Sequence, residues 1–205
     1  MLQFYKKKMD KIKGILFDLD GVLVENKLNF RKISREIFEE ERLPLLENIF
    51  RIKNPLNKKR AYAILEKHET GAATTCRLKE GVPQLFQLLN QHGIKKGIVT
   101  RNSRKSVDII IKRFGLTFDA IVTREDAPPK PARDPIILAC KKMELSTNEI
   151  VFLGDYEFDM IAGRKANVFT VLLKSHSQPY SQYADLVVES IADFTHYVKD
   201  LLKIS

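Results

Sequence analysis

The sequence predicts an α/β protein with a parallel β-sheet, helices on both faces of the sheet, and a small all-helical segment inserted after the first strand. Two observations favour this class. Short apolar runs alternate along most of the chain with longer segments that have the apolar spacing of an amphipathic helix. One stretch, residues 26–77, interrupts the alternation and contains helical patterns but no convincing strand. A chain of 205 residues is long enough for one such unit with an insertion.

The first predicted strand is the apolar run GILFDLD at residues 14–20, which carries Asp18 and Asp20 at its end. A carboxylate at the end of a buried strand costs free energy unless a partner or a bound cation compensates its charge. The two aspartates therefore indicate a metal or functional site.

The interrupting stretch contains two helical patterns, at residues 29–43 and 56–69, with Pro44 and Pro55 between them. We expect a helical cap over 26–77 and an α/β core formed by 1–25 and 78–205. An insertion directly after the first strand is expected to lie over the strand ends as a lid, and a helical ornament away from the site is the alternative. The candidate anion-binding residues of the cap, none of them singled out, are Arg31, Lys53, Lys58, Lys59, Arg60 and His68.

From residue 81 onwards, helix and strand patterns alternate regularly. The predicted helices cover 81–93, 103–115, 134–143 and 158–166, and a final helix extends to Leu202. The predicted strands cover 94–100, 119–123, 149–155, 168–174 and 184–190. Asp134 followed by Pro135 is typical of a helix N-cap and the first helical residue.

Polar residues follow four of the predicted strands. In chain order they are Asp18 and Asp20, then Thr100, Arg101 and Asn102, then Lys130, then Asp155 and Asp159. Taken singly, each has a structural explanation, such as a helix cap or an exposed loop. Because the carboxyl ends of parallel strands lie at one edge of a sheet, we expect these side chains to meet there. Carboxylates, a lysine and a hydroxyl are the groups needed for phosphoryl transfer with Mg²⁺, which prefers oxygen ligands.

The motifs around these residues resemble those of the haloacid dehalogenase superfamily, in its branch of phosphatases with a helical cap. The matching motifs are DLDGV at 18–22, IVT ending at Thr100, KPARD beginning at Lys130 and GDYEFD at 154–159. The resemblance extends from about residue 12 to the last helix. It implies a Rossmann-like core and a Mg²⁺-dependent phosphatase, similar to phosphoglycolate phosphatase, that hydrolyses a small phosphate monoester through an aspartyl phosphate.

The resemblance also implies catalytic and metal-binding roles. Asp18 would be the nucleophile, and Asp20 would act as general acid and then general base. Asp18, Asp155 and the backbone carbonyl of Asp20 would bind Mg²⁺. Asp159 would support the water ligands of the metal or orient Lys130.

Phosphate binding is implied for the residues after the second and third strands. Thr100 and Lys130 would contact the phosphoryl oxygens. Many relatives have asparagine directly after the threonine, whereas here Arg101 comes first and Asn102 follows. We therefore expect the backbone amide of Arg101 to contact phosphate, with Asn102 as a further candidate.

Two alternatives to a phosphatase stay open, and the charge of the chain bears on the first. The chain has 35 Lys and Arg against 26 Asp and Glu, a formal net charge of +9, which also fits a nucleic-acid-binding protein on the same fold without catalysis. However, the basic residues are scattered and are not interleaved with aromatic residues. The other alternative is a phosphomutase of the same superfamily.

Cellular location is predicted from apolar runs and cysteines. No apolar run approaches the roughly 20 residues that span a bilayer. Cys76 and Cys140 are far apart and have no metal-binding spacing. We expect a cytoplasmic protein with reduced cysteines whose partner is a small phosphorylated metabolite. The sequence gives no indication of the oligomeric state.

Overall fold

The computed structural model describes residues 12–174 and 180–203. The strands in this part of the chain are β1 (Gly14–Phe17), β2 (Val24–Glu25), β3 (Arg77–Leu78), β4 (Lys95–Val99), β5 (Ala120–Val122), β6 (Ile150–Gly154), β7 (Phe169–Leu173) and β8 (Leu186–Val188). Six of them form one sheet in the order β5-β4-β1-β6-β7-β8, with every pair parallel. The predicted α/β class and the Rossmann-like parallel sheet are therefore confirmed.

The helices between the strands follow the predicted alternation. They are α1 (Phe30–Phe38), α2 (Leu45–Phe50), α3 (Pro55–Thr75), α4 (Val82–Gln91), α5 (Arg104–Phe114), α6 (Asp134–Met143), α7 (Glu157–Ala166) and α8 (Ile191–Leu202). The prediction of Asp134 as an N-cap was wrong, because Arg133 takes that position and Asp134 lies in the first turn of α6. A carboxylate in the first turn still interacts favourably with the helix dipole. Among the described helices, none is long and apolar enough to cross a membrane.

Strand β1 is central in the sheet. Its Phe17 pairs with Ile98 of β4 on one side and with Leu153 of β6 on the other. All four residues of β1 are buried, as expected for a strand of a parallel sheet that is covered on both faces. The strand order reverses at β1, since β4 and β5 lie on one side and β6, β7 and β8 on the other. Open α/β sheets bind ligands at such a switch point, beyond the carboxyl ends of the strands.

The chain divides into two compact units. The first contains the residues up to Glu25, Arg77–Arg101 and the residues from Leu116 onwards. The second contains Asn26–Cys76 and Asn102–Gly115, so helix α5 groups with the helices of the insertion. The short strands β2 and β3 pair antiparallel where the chain leaves and re-enters the first unit. That the insertion acts as a lid stays a prediction.

The helical unit has its own apolar core, which contains Ile33, Ile49 and Leu65. Helix α1 is shorter than predicted because Glu39 adopts a left-handed conformation, with φ of 63°. The Ser34 hydroxyl accepts a hydrogen bond from the N–H of Arg42 at 2.7 Å, which holds the returning chain.

The other helices of the insertion also depart from the predicted pattern. Helix α2 was not predicted, since its six residues are too few to show a helical repeat. Helix α3 extends beyond the predicted end at residue 69 to Thr75. The extension includes the buried residue Ala73.

Candidate active site

Asp18 and Asp155 directly follow the last residues of two neighbouring strands. The parallel register pairs Phe17 of β1 with Leu153 of β6. The N–H of Asp18 donates to the carbonyl of Leu153 at 2.9 Å, so the pairing continues to the start of the loop. Asp18 is therefore level with Gly154, one residue before Asp155. The register of two apolar strands thus brings both carboxylates to the same edge of the sheet.

Lys130 lies between two carboxylates. Its Nζ is 2.8 Å from Oδ1 of Asp18 and 2.6 Å from Oδ1 of Asp159, and its side chain is 1% exposed. Burial alone would lower the pKa of Lys130, but the charges of Asp159 and Asp18 outweigh burial and hold that pKa above its ordinary value. Lys130 is therefore a fixed positive charge in direct contact with the predicted nucleophile.

Asp159 joins Lys130 to the loop after β6. Its Oδ1 contacts Lys130, and its Oδ2 accepts hydrogen bonds from the backbone N–H groups of Asp155 at 3.2 Å and Tyr156 at 3.0 Å. Gly154 is required for this close approach, because a Cβ at that position would lie 2.3 Å from the Cβ of Asp159. Both carboxylate oxygens of Asp159 are therefore engaged within the protein.

Asp18, Asp155 and Asp159 form a carboxylate cluster in which ligand oxygens lie within 4.8 Å of one another. Burial raises the pKa of Asp18 to about 6, although Lys130 opposes the rise. Burial, followed by the charges of Asp18 and Asp159, raises the pKa of Asp155 to about 8. Crowded oxygen donors with unbalanced negative charge suit a hard divalent cation such as Mg²⁺. Asp18, Asp155 and Asp159 are therefore candidate metal ligands, and both oxygens of Asp159 also have protein contacts.

Three residues without a predicted role border Asp155. Gly21, part of the DLDGV motif, has φ of +80°, and a Cβ there would lie 2.0 Å from Oδ2 of Asp155. The ammonium of Lys79 donates to the carbonyl of Gly21, and the phenol of Tyr180 donates to the carbonyl of Asp155 at 3.2 Å. The position of Lys79 directly after the insertion could have drawn attention to it. Nothing in the sequence signals Tyr180.

Arg101 uses its side chain within the protein. Its guanidinium donates a hydrogen bond to the carbonyl of Lys130 and lies 4.6 Å from the ring centroid of Phe158. Since Phe158 lies in the first turn of α7, these contacts connect the end of β4, the Lys130 loop and α7. The predicted phosphate contact of the Arg101 backbone amide stays a prediction.

The remaining predicted site residues occupy different surroundings. Thr100 is buried directly after β4, and its N–H donates to the carbonyl of Val122 at 3.0 Å. Asp20 is partly exposed, two residues after Asp18, and forms an isolated backbone bridge with Val24. Asn102 is buried and groups with the helical unit, so its predicted phosphate contact stays a prediction.

Comparison with known proteins identifies relatives of this chain. The sequence model of haloacid dehalogenase-like hydrolases matches residues 15–173. An uncharacterized hydrolase of Saccharomyces cerevisiae is 31% identical over 203 residues, which cover 94% of this chain and 93% of the relative. The N-acetylmuramic acid 6-phosphate phosphatase of Pseudomonas putida is 26% identical over 87% of this chain and 92% of its own length.

Solved structures share the fold at lower identity. CbbY from Rhodobacter sphaeroides, in complex with phosphate, superimposes with a TM-score of 0.72 at 20% identity. The match covers 89% of this chain and 96% of CbbY.

Proposed function

This chain belongs to the haloacid dehalogenase-like hydrolase family, and we propose that it is a Mg²⁺-dependent phosphatase that hydrolyses a small phosphorylated metabolite through an aspartyl phosphate on Asp18. The observation that carries the proposal is the contact between Lys130 and Asp18 at 2.8 Å, at a sheet edge that also holds Asp155. It joins a nucleophile, a cation for the phosphoryl group and a carboxylate for a metal in one place.

In the first step, a carboxylate oxygen of Asp18 attacks phosphorus and the bond from phosphorus to the leaving oxygen breaks. The attack requires the ionised carboxylate, and Lys130 favours that form against the effect of burial. Lys130 also reduces the repulsion between the anionic nucleophile and the anionic phosphoryl group. Asp20, in its protonated form, gives its proton to the leaving alkoxide.

In the second step, water attacks phosphorus of the aspartyl phosphate. Asp20, now a carboxylate, takes a proton from that water, and the bond between phosphorus and the Asp18 oxygen breaks. Inorganic phosphate leaves, and both aspartates return to their starting forms.

Mg²⁺ would be held by Asp18, Asp155 and the backbone carbonyl of Asp20, and it would supply positive charge to the phosphoryl oxygens. Thr100 and the backbone amide of Arg101 would donate hydrogen bonds to those oxygens, with Asn102 as a further donor. Asp159 orients Lys130 through the 2.6 Å contact rather than binding the metal itself. In this proposal the inserted helices act as a lid that selects the leaving group.

The test is phosphate release from a panel of small phosphate monoesters with Mg²⁺, measured for the wild type and for Asp18→Asn. We expect the wild type to hydrolyse at least one member and the variant to lose that activity while its circular dichroism spectrum is unchanged. Equal rates for the two proteins would refute Asp18 as nucleophile. Isomerisation of a sugar phosphate without net phosphate release would identify a phosphomutase instead.

A further inference from the structure

Lys79 is a cation at the edge of the candidate site that the proposed chemistry does not use. It follows β3 directly, at the point where the chain returns from the insertion to the α/β unit. Its N–H donates to the carbonyl of Leu23 at 2.9 Å, which continues the pairing beyond β3. This backbone contact fixes the position from which the side chain extends.

The side chain of Lys79 reaches the loop that follows the catalytic aspartates. Its ammonium donates to the carbonyl of Gly21, whose backbone passes directly beside the carboxylate of Asp155. The pKa of Asp155 is raised by burial and by the neighbouring carboxylates, and Lys79 is one of two cations that counter this rise. Lys79 is therefore within electrostatic reach of the site.

Among the described residues, one backbone carbonyl accepts from this ammonium. A lysine ammonium has three N–H donors, and the Gly21 carbonyl accepts from one of them. In the part of the chain that the structure describes, no carboxylate lies within ion-pair distance of Lys79. Asp155 acts on Lys79 only from beyond that distance. The partly buried ammonium has lost part of its hydration without a carboxylate in contact, and an anionic ligand would compensate this cost.

The charge of Lys79 is also directed differently from that of Lys130. Lys130 contacts Asp18 and Asp159, so it serves the nucleophile and the transferring phosphoryl group. Lys79 instead lies at the Gly21 carbonyl, on the side of Asp155. The two cations are therefore suited to two different anionic groups.

We infer that Lys79 binds a second anionic group on the substrate, so that this enzyme selects phosphate monoesters whose leaving group carries a carboxylate or a further phosphate. The inference rests on the proposed phosphatase function for the identity of the first group. It does not require Lys79 to take part in bond making, and Lys79 acts as a specificity residue.

The test is ligand binding to the Asp18→Asn protein, in which turnover is removed, by calorimetry with Mg²⁺ present. Three ligands share a three-carbon chain with a phosphate at one end and carry a hydroxyl, a carboxylate or a second phosphate at the other. We expect at least one of the two anionic ligands to bind more tightly than the hydroxyl ligand. Adding Lys79→Met should weaken the binding of that anionic ligand by about 10- to 100-fold. It should change the affinity for the hydroxyl ligand by no more than about twofold.

Two further variants separate recognition from structural support. Lys79→Arg retains the charge and should keep the preference for the anionic ligand. Lys95→Met is a matched control, because Lys95 also donates to a single backbone carbonyl, that of Met143 at 2.7 Å, but lies at the amino end of β4. This control should leave all three affinities unchanged.

The outcomes distinguish this inference from the proposed function. Equal weakening of all three ligands by Lys79→Met would show that Lys79 only supports the Gly21 loop and would overturn the inference. The inference would also be overturned if neither anionic ligand bound more tightly than the hydroxyl ligand, or if none of the three ligands bound. If the preference is present and depends on Lys79 but the wild type releases no phosphate, the anion-binding role of Lys79 stands and the phosphatase proposal fails. Comparison of the carboxylate with the bisphosphate identifies the preferred anion.

Discussion

Replacing Lys130 with methionine keeps a buried alkyl chain and removes the ammonium that contacts Asp18 at 2.8 Å and Asp159 at 2.6 Å. The side chain is 1% exposed, so water does not replace the lost charge. Removing one partner of a buried ion pair costs about 3–5 kcal/mol, because the remaining charge stays buried without compensation. We expect the free energy of unfolding of metal-free Lys130→Met to fall by this amount at pH 8.

The loss of stability caused by Lys130→Met depends on pH, and the pKa of Asp18 determines the direction of this dependence. The folded-state pKa of Asp18, about 6, exceeds its ordinary value of 3.8, so the folded protein binds more protons between these values and loses stability as pH rises across them. Without Lys130 the pKa of Asp18 rises further and the loss extends to higher pH. At pH 5, below the pKa of about 6, Asp18 is mainly protonated and has less need of a counter-charge. The deficit of Lys130→Met should therefore be smaller at pH 5 than at pH 8.

Urea unfolding followed by circular dichroism in EDTA, at pH 5 and pH 8, measures this difference. Lys142→Met is the control, because Lys142 is exposed and donates to the carbonyl of Ile121 at 3.0 Å, with no carboxylate partner among the described residues. It should change stability by no more than about 0.5 kcal/mol. A deficit for Lys130→Met that is the same at both pH values, or no larger than the control, would refute the reasoning.

Three other changes test separate parts of the account. Asp20→Asn should reduce kcat by about 10²- to 10⁴-fold through loss of general acid and base catalysis, and an unchanged rate would exclude that role. Mg²⁺ should raise the Tm of the wild type more at pH 9 than at pH 6, because Mg²⁺ binding requires the ionised form of Asp155, whose pKa is about 8. In Asp155→Asn, Mg²⁺ should no longer raise the Tm. Leu65→Ala should destabilise the helical unit by about 2–5 kcal/mol, since Leu65 is buried with Ile49 and Ala61. A change below about 1 kcal/mol in urea unfolding would contradict the packing of Leu65 in that apolar core.

The sheet and its polar edge could be predicted because their signals are local and repeated. The apolar run that ends at Asp18 fits a central buried strand, and Asp155 follows an equivalent run in the neighbouring strand. Parallel pairing then determines that the two carboxylates share an edge. Lys130 could be placed near that edge as well, since it follows the strand β5 of the same sheet.

Side-chain partners could not be predicted from spacing along the chain. Arg101 was expected to offer only its backbone amide, but its guanidinium contacts the Lys130 carbonyl and the ring of Phe158, both distant in sequence. Lys79 escaped notice because its contact with Gly21 joins residues on either side of the insertion. Helix α2 was missed because a helix of six residues shows less than two turns of periodicity.

The most direct test of the central claim is to identify the covalent intermediate on the chain itself. Wild-type protein turning over a hydrolysed phosphate monoester is quenched in acid and treated with borohydride, which reduces an aspartyl phosphate to homoserine, and the modified position is located by peptide mass spectrometry. The account predicts homoserine at position 18 that depends on substrate. Homoserine at position 20, or modification at neither position in a protein that accumulates a covalent phosphoenzyme, would contradict it.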